Sequence, residues 1–146
     1  MNALIDAVAT SIVAEVTGAN AWTVEKKDPM WRSPHKGEVL NIFHGGDRRG
    51  EPRWTGGTID IVEIVVEYAE PAPENARNLE HDQTGEYAAN AEALKLRQWA
   101  LSHEEGFAPA HKMDWARTDY TPNVRRELFT RYCRVTFEFE VVQSYV

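Results

Sequence analysis

The stretch Tyr132-Cys133-Arg134-Val135-Thr136-Phe137-Glu138-Phe139-Glu140-Val141 decides the fold. Cys133, Val135, Phe137, Phe139 and Val141 take every second position, and Tyr132, Arg134, Thr136, Glu138 and Glu140 take those between. Strict period two is the pattern of a strand with one apolar face and one wet face. A slip of one residue would turn the whole apolar set to solvent, so the register is expected to be firm.

An apolar sheet face needs a second layer, and two segments can supply it. Leu4, Ile5, Val8, Ile12, Val13 and Val16 recur at spacings of three and four, which predicts a helix over about residues 3–17, with Asn2 as N-cap and Gly18 just past the end. A second helix is expected over about residues 86–103. Its rows are Ala93, Leu96, Ala100 and Leu94, Leu101, with Trp99 between them and Gly106 closing it. Thr58–Ala69 reads as a long strand with Val62, Ile64, Val66 and Tyr68 on one face and Glu63 and Glu67 on the other. Ile59 and Ile61 have the opposite parity, which implies a bulge or a start buried on both sides. Shorter strands are expected over residues 21–25, 38–43 and 111–120.

Punctuation separates these elements. Residues 26–37 hold two prolines and a glycine, 71–86 are polar and acidic, and Thr121-Pro122-Asn123 reads as a turn. Residues 44–57 hold five glycines and a proline in fourteen positions and read as a long exposed loop or flexible arm between two strands. The expected class is α+β: a mainly antiparallel sheet with two helices on one face, in a single domain spanning residues 1–146.

Composition narrows the function. The chain has 16 basic and 23 acidic residues, a formal charge of −7, which disfavours a general nucleic-acid binder. One cysteine, Cys133, excludes an internal disulfide and a Cys-based zinc cluster, and its place on the apolar face makes it a core residue. No basic leader and no long apolar run stand in the sequence, so a soluble chain made in a reducing cytoplasm is expected, with no membrane contact.

No enzyme signature emerges. His35, His44, His81, His103 and His111 lack ligand spacing, although His35 and His44 flank a strand. Gly45-Gly46 and Gly56-Gly57 open no helix and form no phosphate loop. Glu63 and Glu67 share a face and would be paired carboxylates only if that face were not simply solvated. No catalytic residue, cofactor or metal is expected.

Charge distribution is more informative. Lys26 to Arg53 holds seven bases against four acids, with Trp31 and Trp54 among them, while the rest of the chain is acidic. Exposed Trp and Arg together are contact anchors. The candidate interface residues are therefore Trp31, Arg32, Arg48, Arg49, Arg53 and Trp54, and a molecule with unlike ends suits head-to-tail contact between copies.

The organisation resembles the tail terminator (tail completion, head-to-tail joining) proteins of long-tailed bacteriophages. The resemblance rests on the N-terminal helix from Leu4-Ile5-Asp6-Ala7-Val8, the long strand Ile61-Val62-Glu63-Ile64-Val65-Val66-Glu67-Tyr68-Ala69-Glu70-Pro71, the helix around Leu94-Lys95-Leu96-Arg97-Gln98-Trp99 and the closing alternating strand. It is one of pattern over nearly the whole chain, without a diagnostic motif. It implies a homo-oligomeric ring, usually of six subunits, in the tail or neck of the virion, assembled in the host bacterial cytoplasm. The implied partners are the tail tube protein, whose polymerisation the ring ends, and the head-completion or connector protein. Genomic DNA would pass through the lumen without specific binding, and residues 44–57 would be the mobile arm. The rival readings are another neck or minor tail protein, a small-ligand-binding α+β domain with Trp99, Phe107 and Trp115 around a pocket, and an adaptor using its Trp and Arg loops.

Overall fold

The alternating stretch lies within a fifteen-residue strand, Thr130–Ser144, that is paired on both sides. The computed structural model describes residues 2–26, 37–54, 56–71, 89–120 and 130–144, with the backbone alone at 51–54, 71, 130, 143 and 144. In chain order the elements are α1 (Asn2–Glu15), a 3-10 turn (Ala19–Ala21), β1 (Thr23–Glu25), β2 (Val39–Trp54), β3 (Gly57–Pro71), α2 (Asn90–Leu101), β4 (Ala110–Asp119) and β5 (Thr130–Ser144). The strands form one sheet in the order β1-β2-β3-β5-β4. β1 runs parallel to β2 and every other pair is antiparallel. This is the expected α+β class.

Both helices cover the same face. α1 buries Leu4, Ile5, Val8, Ala9 and Ile12; α2 buries Ala93, Leu96, Trp99 and Ala100. They meet Leu40 and Ile42 of β2, Val62, Ile64, Val66 and Tyr68 of β3, Met113 of β4 and the apolar set of β5 in one core. Trp99 packs edge-on against Phe137 at 5.5 Å between ring centroids. The second row expected for α2, Leu94 and Leu101, faces solvent instead.

Residues 44–57 correct the sequence reading. Residues 44–54 are not a loop: they continue β2, which pairs with β3 as far as Trp54 opposite Gly57. Gly45, Gly50 and Pro52 sit at breaks in the ladder, and Gly56 lies in the turn before β3. His44 pairs with Ile64 and Gly46 with Glu63, so Gly45 is an extra residue. Arg49 pairs with Asp60 and Arg53 with Thr58, so Gly50, Glu51 and Pro52 face a single residue of β3. Pro52 thus costs no ladder hydrogen bond, and the flexible residues make bulges rather than an arm. Gly46 adopts φ 143°, a conformation that L side chains rarely take. Of the two alternatives for β3, the bulges are in β2, while β3 pairs with β5 without a break from Gly57 to Pro71 and buries Ile61 and Val62 on opposite faces.

The expected wet face of β5 is also corrected. Tyr132 and Thr136 on that face are buried, as are Asn41, Phe43, Val65, Glu67 and Ala69 beside them. Asn2 is the first helical residue of α1 and not a residue ahead of it. The loops expected at 26–37 and 71–86, the turn at 121–123 and the first residues of the second helix lie almost wholly outside the described residues.

Candidate functional site

Of the six candidate interface residues, Trp31 and Arg32 lie outside the described residues. Arg48, Arg49, Arg53 and Trp54 all lie on β2, at the end of the β2–β3 hairpin. Arg53 and Trp54 are placed by backbone register alone, opposite Thr58 and Gly57. Arg48 and Arg49 are exposed. As neighbours on a strand they point to opposite faces of the sheet. Both nevertheless line one shallow depression spanning β2 and β3, of about 420 Å³, with Asp47, Thr58 and Asp60. Arg48 also has an internal partner, its Nη2 lying 2.5 Å from Glu138 Oε2. Glu138 faces Glu63 across β3 and Asp114 across β4, so Arg48 relieves a row of like charges.

On the face away from the helices the sheet holds a polar cluster. Asn41, Glu67 and Arg134 stand directly opposite one another on β2, β3 and β5. Glu67 is 1% exposed. Arg134 Nη2 reaches Glu67 Oε2 at 3.0 Å, the Tyr132 hydroxyl donates to the same oxygen, and Asn41 Nδ2 donates to Oε1 at 3.4 Å. Arg134 Nε also donates to the Tyr132 hydroxyl at 3.1 Å. Burial and the Glu67 charge push the Tyr132 phenol far above its ordinary range, so it stays a donor. Burial works against the Arg134 charge, but Tyr132 and Glu67 outweigh it and hold the guanidinium protonated. The arrangement neutralises a buried carboxylate. It corrects the reading of Glu63 and Glu67 as one solvated row, because Glu67 is enclosed while Glu63 is half-exposed. The sequence reading missed Asn41, Tyr132 and Arg134. Their shared parity was visible in the chain, but the register joining three strands was not.

A second cluster joins the helices. Trp99 Nε1 donates to Ser11 Oγ at 3.0 Å, Ser11 donates to Glu15, and His103 Nε2 lies 2.6 Å from Glu15 Oε2. The Ser11 hydroxyl, with His103 helping, holds the Glu15 carboxyl below its ordinary pKa. The residue types are those of a nucleophile relay, but the geometry is not. Ser11 Oγ and Glu15 both approach the same ring nitrogen of His103, at 3.3 and 2.6 Å. A relay needs the acid on one nitrogen and the hydroxyl on the other. The cluster is a clasp between α1 and α2.

The three aromatics of the expected pocket do not share one. Trp99 and Phe107 stack at 5.9 Å and fill the space against Phe137. Trp115 stands 45% exposed, with the Arg97 guanidinium over its ring at 5.1 Å. Cys133 is fully buried, and burial pushes its thiol far above the reactive range. His44 pairs with Asp47 at 2.5 Å, and His35 lies outside the described residues. Among the described residues no group of three or more His, Cys, Asp and Glu is placed to hold a metal. No helix among them is long and apolar enough to cross a membrane.

Fold and surface together define an α+β protein with helices on one sheet face and a long basic-tipped hairpin. No family model matches the chain, and no curated protein matches it either.

Proposed function

We propose that this chain is a virion structural protein, a tail terminator whose copies close into a ring on the end of a tail tube, end its polymerisation and offer a surface to the head connector. The observation that carries this reading is the outer half of the β2–β3 hairpin. Beyond Ile42 on β2 and before Val62 on β3, neither strand contributes to the helix-covered core. Asp47, Arg48 and Arg49 stand in solvent there. A hairpin carried past its own core and tipped with arginines has the form of an assembly element. The α+β class and the order of elements agree with the resemblance to tail terminators. The unlike charges of the 26–53 segment and the remainder favour contacts between unlike surfaces of identical copies.

The mechanism is assembly: the hairpin end meets the tube or a neighbouring copy, and the ring leaves no growing surface behind it. Adding the protein to purified tail tubes and imaging their ends tests this. The wild-type chain is expected to cap tubes and stop their growth. The variant with Arg48→Glu and Arg49→Glu is expected to leave ends open while keeping its far-ultraviolet circular dichroism. Wild-type protein that leaves tube growth unchecked overturns the reading.

A further inference from the structure

At the far end of the sheet from β1, the strand β4 is the terminal strand, paired with β5 on its inner side. Beside it α2 presents an apolar stripe to solvent. Leu94 is 48% exposed, Leu101 71% and Trp115, on β4, 45%. Leu94, Arg97 and Leu101 fall at helical spacing on one side of α2. The Arg97 guanidinium lies over the Trp115 ring at 5.1 Å and joins the stripe to the strand. Arg97 Nε is buried without a hydrogen-bond partner, so the ring contact positions this side chain. A stacked Arg–Trp pair is of the kind that anchors interfaces, and the exposed leucines extend its apolar area beside a strand with no further neighbour among the described residues.

We infer that this patch docks a second copy of the chain and seats the outer edge of its β2–β3 hairpin, an inference that rests on reading the chain as a self-assembling protein. Two observations select that occupant. First, the sheet has an open edge at its other end as well. β1 covers β2 only at Val39–Asn41, which leaves the rest of β2 without a strand on its outer side among the described residues. A contact between the two unlike edges of one molecule is heterologous and closes into a ring when its rotation allows. Second, the charges complement. β4 and the turn before it carry Glu104, Glu105, Asp114 and Asp119 against Lys112 and Arg117, while residues 42–54 carry Arg48, Arg49 and Arg53 against Asp47 and Glu51. Both edges are mixed, but the first sums to 2 − 4 = −2 and the second to 3 − 2 = +1, so unlike edges attract more than like ones.

The test uses native mass spectrometry and sedimentation over a concentration series. Its proteins are the wild-type chain, Leu101→Glu, Leu94→Glu and Arg49→Glu. These side chains are exposed, and unchanged melting temperatures check that each variant folds. Wild-type protein is expected to self-associate beyond the dimer, and each variant is expected to weaken association by about tenfold or more. Mixing Leu101→Glu with Arg49→Glu is expected to give a one-to-one heterodimer that grows no further, because each variant keeps one competent edge. Patch variants that assemble like the wild type, a mixture that gives no heterodimer, or a wild-type chain that stays monomeric throughout would each overturn the inference. If patch variants assemble normally while wild-type protein caps tubes, the surface assignment fails and the tail-terminator reading stands. If Leu101→Glu breaks oligomers that never cap a tube, the surface stands and that reading fails.

Discussion

Glu67 sits at the centre of three donors, and what surrounds it decides whether its charge helps or harms the fold. A carboxylate in this position, 1% exposed, is tolerated because Arg134, Tyr132 and Asn41 supply the hydrogen bonds that water would have given. Removing one partner of a buried ion pair costs about 3–5 kcal/mol, whereas exposed pairs are worth under about 1 kcal/mol. Arg134 keeps some solvent contact and Glu67 keeps two other donors, so Arg134→Met should fall near the lower end, about 3 kcal/mol in urea unfolding. Adding Glu67→Gln to that variant removes the stranded charge and should recover a large part of the loss. A loss under about 1 kcal/mol for Arg134→Met would mean that solvent screens the pair and that the cluster is ornamental to stability. None of this could be read from Glu67 alone. A Glu between Val66 and Tyr68 has the same local pattern whether its face is wet or covered.

At the scale of elements, period two in β5 and β3 and the helical spacings in α1 and α2 were legible because each is a local pattern. The order of elements and the placement of both helices on one face followed from the need to bury those patterns. What failed was β2. Glycine and proline signal turns through their own backbone preferences, but here the ladder to β3 places them at bulges, and tertiary pairing overrides the local signal. Gly50 shows how closely that pairing fits. A Cβ there would meet the Ile59 carbonyl oxygen at 2.9 Å and the Ile61 side chain at 3.2 Å. Gly50→Ala should therefore destabilise the chain by about 1–3 kcal/mol, as overpacking does, while the neighbouring Arg49→Ala stays within about 0.5 kcal/mol. Urea midpoints of the two variants compare them directly. Equal midpoints would show that this part of the hairpin moves aside freely, as the loop reading expected. The interface candidates were legible as a composition of Trp and Arg, but not as geometry. That Arg48 answers Glu138 depends on a contact ninety residues away in sequence.

For the whole molecule, the face away from the helices matters most, because in a ring joined edge to edge each copy turns one sheet face towards the hole. A ring that turned its open face to the hole would present the charges of that face to DNA. Besides the Glu67–Arg134 pair, the open face carries Glu63, Glu138, Glu140, Asp114 and Asp119 against Arg48, Lys112 and Arg117. Each of those bases already has a carboxylate: Arg48 lies 2.5 Å from Glu138, Lys112 3.7 Å from Asp114 and 3.8 Å from Glu140, and Arg117 3.5 Å from Asp119. Duplex DNA binds proteins by exchanging counterions for free lysines and arginines, so cations held by acids offer it little, and the surplus of acid repels it. The chain should therefore leave the anisotropy of a labelled duplex unchanged at micromolar protein, even at about 50 mM salt where such binding is strongest. Glu138→Lys with Glu140→Lys reverses two of the acids and frees Arg48, while Lys112 keeps Asp114. That variant should bind the duplex, with an affinity falling by about 0.9 log unit per log unit of salt for each phosphate neutralised. Salt-dependent binding by the wild-type chain would mean that this face grips DNA rather than letting it slide. A ring lined by it could not then serve as a passive passage, and the tail-terminator reading would have to place the open face elsewhere than on the hole.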